Sequence, residues 1–191
     1  MIVCATMEAA REMGNPMALK GDGNHRFEAL CRHEAGHVVM ALKDRDVEPG
    51  ITLRGITIDL VTGGKSDITL DGNFSIQAII YMLCGGPVAE AIYLGMEPSK
   101  VDTLFLTGLE GDPGDGDVLH EIIAKYEGDN PGVDFEAEAD LCCQEVYVAM
   151  TEDEGVREAV RAIAEALMEK KGKLSAEEIE GIYSDIKNIY G

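Results

Sequence analysis

The sequence predicts a mainly α-helical fold with a small β-hairpin or sheet beside its principal helix. Three observations predict it. His25 to about Asp44 carries no Pro and a single Gly, and Phe27, Leu30, Cys31, Val38, Ala41 and Leu42 recur there at helical spacing. Ile51–Leu60 and about Lys65–Leu70 read as two strands joined by a turn around Thr62-Gly63-Gly64. Further stretches carry helix-opening signals, ending with Thr151-Glu152-Asp153-Glu154 and Ser175-Ala176-Glu177-Glu178, which read as capping boxes for the last two helices.

In order along the chain, residues 1–22 form an N-terminal extension with a weak helix near Met7–Met13, and residues 23–191 form one domain. Asn24 is positioned to cap the first long helix. A second helix is expected from about Ser75 to Tyr93. Pro87 lacks an N–H and crowds the carbonyl of Leu83, so a kink or restart is expected there. Asp117 follows the Gly-rich run Gly111-Asp112-Pro113-Gly114-Asp115-Gly116 and would cap a helix to about Tyr126; Asp134–Met150 reads as another. With 191 residues and 46 % hydrophobic content the chain can bury a full core, built from aliphatic residues and nine Met because aromatics are few.

Residues 33–37 read His-Glu-Ala-Gly-His. On a helix His33 and His37 lie about 40° apart, close enough to grip one metal ion. Glu34 falls beside the ion, where a carboxylate can take a proton from a water that the metal acidifies. Gly36 in mid-helix costs about 1 kcal/mol relative to Ala, a cost that close approach of another segment would offset. Two imidazoles do not complete a catalytic zinc site, which ordinarily has three protein ligands and an open water position. Among 36 acidic residues, Glu90 in Gly-Gly-Pro-Val-Ala-Glu-Ala and Asp117 stand out as carboxylate candidates, and spacing alone does not choose between them.

His33-Glu34-Ala35-Gly36-His37, Leu83-Cys84-Gly85-Gly86-Pro87-Val88-Ala89-Glu90 and Gly114-Asp115-Gly116-Asp117 resemble, in order and interval, the three signature blocks of FtsH-type zinc peptidases. The resemblance runs from about His25 to the C-terminus. It implies a helical zincin-like peptidase domain with a C-terminal helical bundle, and one Zn²⁺ per chain held by His33, His37 and Asp117. Glu34 becomes the general base and Glu90 a carboxylate supporting the site from behind. The chain departs from the family at Pro87, where Arg is usual, and at Ala91, where a second Glu is usual. Asp112 and Asp115 stand as alternative ligands. Zinc peptidases commonly hold substrate as an added strand, so Lys65, Ser66, Asp67, Ile68, Thr69 and Leu70 are the candidate substrate-binding edge; a purely structural hairpin is the alternative.

Composition narrows the partners. A net charge of −20 disfavours nucleic acid and anionic membranes and suits polypeptide substrates. No Gly-x-x-x-x-Gly-Lys-Ser/Thr loop occurs, so no ATP site is expected on this chain, and a separate unfoldase or a homo-oligomer enters as a partner. No apolar run long enough to span a membrane and no secretory leader are expected. The five Cys (4, 31, 84, 142, 143) are odd in number and form no Cys-x-x-Cys pair, which points to reduced thiols and a cytoplasmic location. Cys31 is expected to pack in the core rather than join His33. The leading expectation is a zinc metalloendopeptidase acting on unfolded or flexible polypeptides; the alternatives are a catalytically silent zinc-binding adaptor and a non-protease zinc amidase.

Overall fold

The computed structural model describes residues 23–45, 50–59, 63–70, 75–96, 119, 124 and 134–191. In chain order these form α1 (Gly23–Arg45), β1 (Ile51–Asp59), β2 (Gly63–Leu70), α2 (Ile76–Tyr93), α3 (Phe135–Glu152), α4 (Glu154–Glu169), β3 (Lys173–Ser175) and α5 (Ala176–Tyr190). The mainly helical class with a small sheet is the one that the sequence predicts. The weak helix expected near Met7–Met13 lies outside the described residues, as do Thr62 of the expected turn and all but residues 119 and 124 of the helix expected after Asp117; Gly63 and Gly64, expected in the turn, instead belong to β2, paired with Asp59 and Ile58.

Helix α1 is the axis of the fold. From Cys31 to Leu42 nearly every side chain is buried, because α2, α4, β1 and β2 surround it. A helix enclosed in this way needs apolar residues on all sides. Ala35, Val38, Val39, Met40, Ala41 and Leu42 supply them. It begins at Gly23, so Asn24 lies within its first turn instead of capping it.

Helix α2 packs along α1 on one side and against α3 on another. Ser75 caps it by accepting the Ala78 N–H at 3.1 Å. The helix runs unbroken through Pro87, so the expected restart does not occur. The expectation that no segment is apolar enough to cross a membrane also needs correcting. By length and composition α2 qualifies, with a mean hydropathy of 1.3 over 18 residues, but half of it is buried inside the protein.

Strand β1 lies between two antiparallel neighbours in the order β2-β1-β3. Its buried residues are Ile51, Leu53, Ile56 and Ile58. Strict alternation would break between Leu53 and Ile56, and the register shift between Leu53 and Gly55 restores it by inserting one residue, as a β-bulge does. Gly55 has φ of +151°, and a Cβ there would meet the Leu174 carbonyl oxygen of β3 at 2.7 Å. The third strand is only three residues long and pairs Ile56 with Leu174, which is too short for alternation to announce it in sequence.

The C-terminal helices follow from their caps. Asp134 caps α3 through the Ala137 N–H at 3.0 Å. Helix α4 is capped by Asp153 through the Val156 N–H at 3.2 Å, not by Thr151 as the capping-box pattern suggests. Thr151 lies inside α3, where its hydroxyl donates back to the Tyr147 carbonyl at 2.8 Å, and the extended Asp153 separates the helices. The Ser175/Glu178 capping box forms as expected at the start of α5. Helix α4 buries Val156, Ala159, Val160, Ile163, Ala164 and Leu167 at the i, i+3, i+4, i+7 spacing of a one-faced helix, which seats it on α1.

Candidate metal centre

His33, Glu34 and His37 project from the enclosed part of α1 and are 2 %, 4 % and 7 % exposed. Three polar side chains buried together are costly unless hydrogen-bonded or bound to an ion. The hydrogen bonds come from α2 and β2. His33 Nδ1 lies 3.0 Å from Glu90 Oε2, and His37 Nδ1 lies 2.8 Å from the Met82 carbonyl oxygen. A carbonyl only accepts, so His37 Nδ1 carries the proton and donates it. The Gly86 N–H, 3.3 Å from the same nitrogen, is then the weaker contact and cannot also donate to it. The Glu90 carboxylate likewise accepts from His33 Nδ1.

With both Nδ1 atoms engaged in this way, the nitrogens left to bind an ion are Nε2, and the two Nε2 atoms lie 3.1 Å apart, within hydrogen-bond distance of each other. A shared proton or a metal cation between them satisfies both nitrogens. Two tetrahedral ligands at the usual Zn–N distance of about 2.0–2.1 Å sit roughly 3.3 Å apart, so the pair fits zinc with little adjustment. The rings meet edge to face, with centroids 4.8 Å apart and an interplanar angle of 79°. The two imidazoles therefore fit as two of the ion's ligands.

The approach of α2 to α1 depends on glycine. A Cβ on Gly36 would lie 2.1 Å from the Gly85 carbonyl oxygen, and one on Gly85 would lie 2.5 Å from that of Gly36. A Cβ on Gly86 would lie 2.2 Å from His37 Nε2. Gly36 and Gly85 thus set the interhelical distance, while Gly86 leaves room for the His37 ring. The close approach that the sequence suggests for Gly36 is the one observed.

Glu34 is held from β2. The Ser66 hydroxyl donates to Glu34 Oε2 at 2.6 Å and also lies 3.2 Å from its backbone carbonyl. Strand β2 is one of the two outer strands of the described sheet and runs beside α1. Ser66 therefore has a side-chain role toward Glu34 that the edge-strand expectation did not contain. Ile68, two residues on and on the same face, packs against the core. Asp67 is half-buried. The side chains of Lys65, Thr69 and Leu70 lie outside the described residues.

Cys31 does not join the site. Burial, with Glu28 and Glu34 adding to it against the opposing pull of Arg32, pushes its thiol up to about 12, so it stays protonated in the core. Asp117, with its alternatives Asp112 and Asp115, lies outside the described residues. Among the described residues no group of three or more His, Cys, Asp or Glu is placed to hold a metal ion, so the described part of the centre is the His33/His37 pair with its supports.

Glu90 is the support whose removal is most informative. Partners of this kind ordinarily change metal affinity 10–100-fold. Glu90→Ala is expected to weaken zinc binding by about that factor, read by competition with a chromogenic chelator, with the helical circular dichroism unchanged. Unaltered affinity would show that Glu90 does not orient His33.

Sequence reasoning found His33, Glu34, His37 and Glu90. It missed the Met82 carbonyl, which as a backbone group leaves no trace in residue identity, and it gave Gly85 and Gly86 no steric role, although two glycines inside an apolar helix are a signal of close packing. No protein-family model matches the chain, and no curated protein sequence matches it either.

Proposed function

We propose that the chain is a zinc-dependent metalloendopeptidase that cuts unfolded or flexible polypeptides. The observation that carries this reading is the convergence of the two Nε2 atoms at 3.1 Å, each ring anchored through its other nitrogen, with Glu34 one residue from His33. Asp117 is proposed as the third ligand on the resemblance of its Gly-rich block.

Bound zinc would polarise the scissile carbonyl and acidify the attacking water. The residues of the chain divide the remaining work. His33 and His37 fix the ion because Glu90 and Met82 fix their rings. Glu34 accepts the proton from the attacking water and returns it to the leaving amine. Ser66 donates to Oε2 and so holds the carboxylate in one orientation. The outer strand β2 offers backbone hydrogen bonds to an extended peptide, which suits a substrate read by conformation more than by side chains. No Gly-x-x-x-x-Gly-Lys-Ser/Thr loop occurs within the 191 residues, and disorder of the client or the action of an unfoldase would supply extended chain. A cytoplasmic setting is proposed with it, on the reduced thiols.

The test is cleavage of unfolded casein beside a stable folded protein and its denatured form. Casein and the denatured protein are expected to be cut, the folded protein to resist, and 1,10-phenanthroline to stop cleavage until zinc is restored. Zinc binding with no cleavage of any substrate would favour a silent adaptor, and equal cleavage of folded and denatured forms would refute selection by disorder.

A further inference from the structure

Two cysteines that are 59 positions apart in sequence meet in the core. Cys84 Sγ on α2 lies 2.7 Å from Cys143 Sγ on α3, and the residues are 3 % and 4 % exposed. Neither is in a disulfide. The sulfurs need to close by only about 0.65 Å to reach the length of an S–S bond. Cys142, the neighbour of Cys143, points about 100° away around the helix, so only one of the two adjacent thiols can face Cys84.

We infer that Cys84 and Cys143 form a reversible disulfide under peroxide, a covalent strap between α2 and α3. Either sulfur attacks hydrogen peroxide, forming an S–O bond as the O–O bond breaks; the products are a sulfenic acid and water. The second thiol displaces that oxygen, the S–S bond forms, and a second water leaves. Two thiols are oxidised and one peroxide is reduced to two waters. Burial slows the first attack, which needs a small oxidant and local opening of the helices, but the sulfenic acid then has its resolving thiol already in contact, which favours the disulfide over further oxidation.

The bond has a consequence for the fold. Helix α2 carries Glu90 and the Met82 carbonyl, the two groups that anchor the histidines. The covalent loop runs from residue 84 to residue 143 and contains Asp117. Closing a loop of this size restricts the unfolded chain and should raise the melting temperature by roughly 10 °C. The inference needs neither metal nor peptidase activity.

The experiment treats the purified full-length chain with hydrogen peroxide, denatures it, alkylates it and maps unreduced peptides by mass spectrometry. Alkylatable thiols are expected to fall from five to three. A Cys84–Cys143 cross-link should be placed by fragmentation between Cys142 and Cys143, and dithiothreitol should restore all five thiols. Cys142→Ser should keep the cross-link and the rise in melting temperature, and Cys143→Ser should lose both. Because the mapping is done on the wild-type chain, it decides the question even if a serine variant fails to fold. Five alkylatable thiols after treatment, a cross-link through Cys142 or Cys31, or separate sulfinic acids at Cys84 and Cys143 would overturn the inference.

Discussion

Glu34→Gln is expected to keep zinc bound and to lower peptide cleavage by about 10²–10⁴-fold, the range that a positioned general base contributes. The substitution preserves size and an oxygen that the Ser66 hydroxyl can reach, so the contact at 2.6 Å has a replacement and the buried site stays satisfied. Only basicity is removed. The proposed ligands are unchanged, because the histidine rings are anchored through Glu90 and Met82. Zinc content and casein cleavage measured on the same sample separate the outcomes. Unchanged cleavage would remove Glu34 from the chemistry, and loss of zinc would make it part of the metal's own support.

Gly36→Ala and Gly86→Ala are expected to fail in different ways. Alanine in mid-helix ordinarily gains about 1 kcal/mol over glycine. At Gly36 the new methyl would stand 2.1 Å from the Gly85 carbonyl oxygen and 2.7 Å from Ala89 Cβ, and backbone cannot step aside without parting α1 from α2. A net loss of about 2–3 kcal/mol is expected, seen as a fall of roughly 5–10 °C in melting temperature. At Gly86 the obstacle is the His37 ring, 2.2 Å away, which can rotate. Gly86→Ala should therefore cost less stability but turn a ligand out of the site, so zinc is lost from a folded chain. Thermal denaturation beside zinc content checks both. A stabilised Gly36→Ala variant, or full zinc in Gly86→Ala, would contradict the packing described here.

The pattern of what was legible in the sequence follows from the range of the interactions. Helix α1 and the strands β1 and β2 were readable because their periodicity lies within the segments themselves, and Ser75, Asp134 and Ser175 cap within three residues. Asp153 in place of Thr151 shows the limit of that rule. Both residues are competent caps, and the choice fell to whichever helix extended further, here α3. Strand β3 was invisible because its three residues pair with β1, more than a hundred positions earlier. At the site, the two histidines and Glu34 were legible because helical spacing alone brings them together. The support from Glu90 needed the resemblance to be seen and the fold to be located, and the Ser66 hydrogen bond needed the fold. The meeting of Cys84 with Cys143 left no spacing signal at all.

The central claim, that His33 and His37 bind zinc through their facing Nε2 atoms, is tested most directly by zinc K-edge absorption on the purified chain with metal stoichiometry from the same sample. One zinc per chain is expected, with two imidazole nitrogens at about 2.0–2.1 Å and oxygen completing a four-coordinate shell. That signal should be lost in His37→Ala and greatly weakened in Asp117→Ala, while Asp115→Ala keeps it. A chain that remains folded and binds no zinc at micromolar metal, or one whose zinc persists in His37→Ala, would contradict the account.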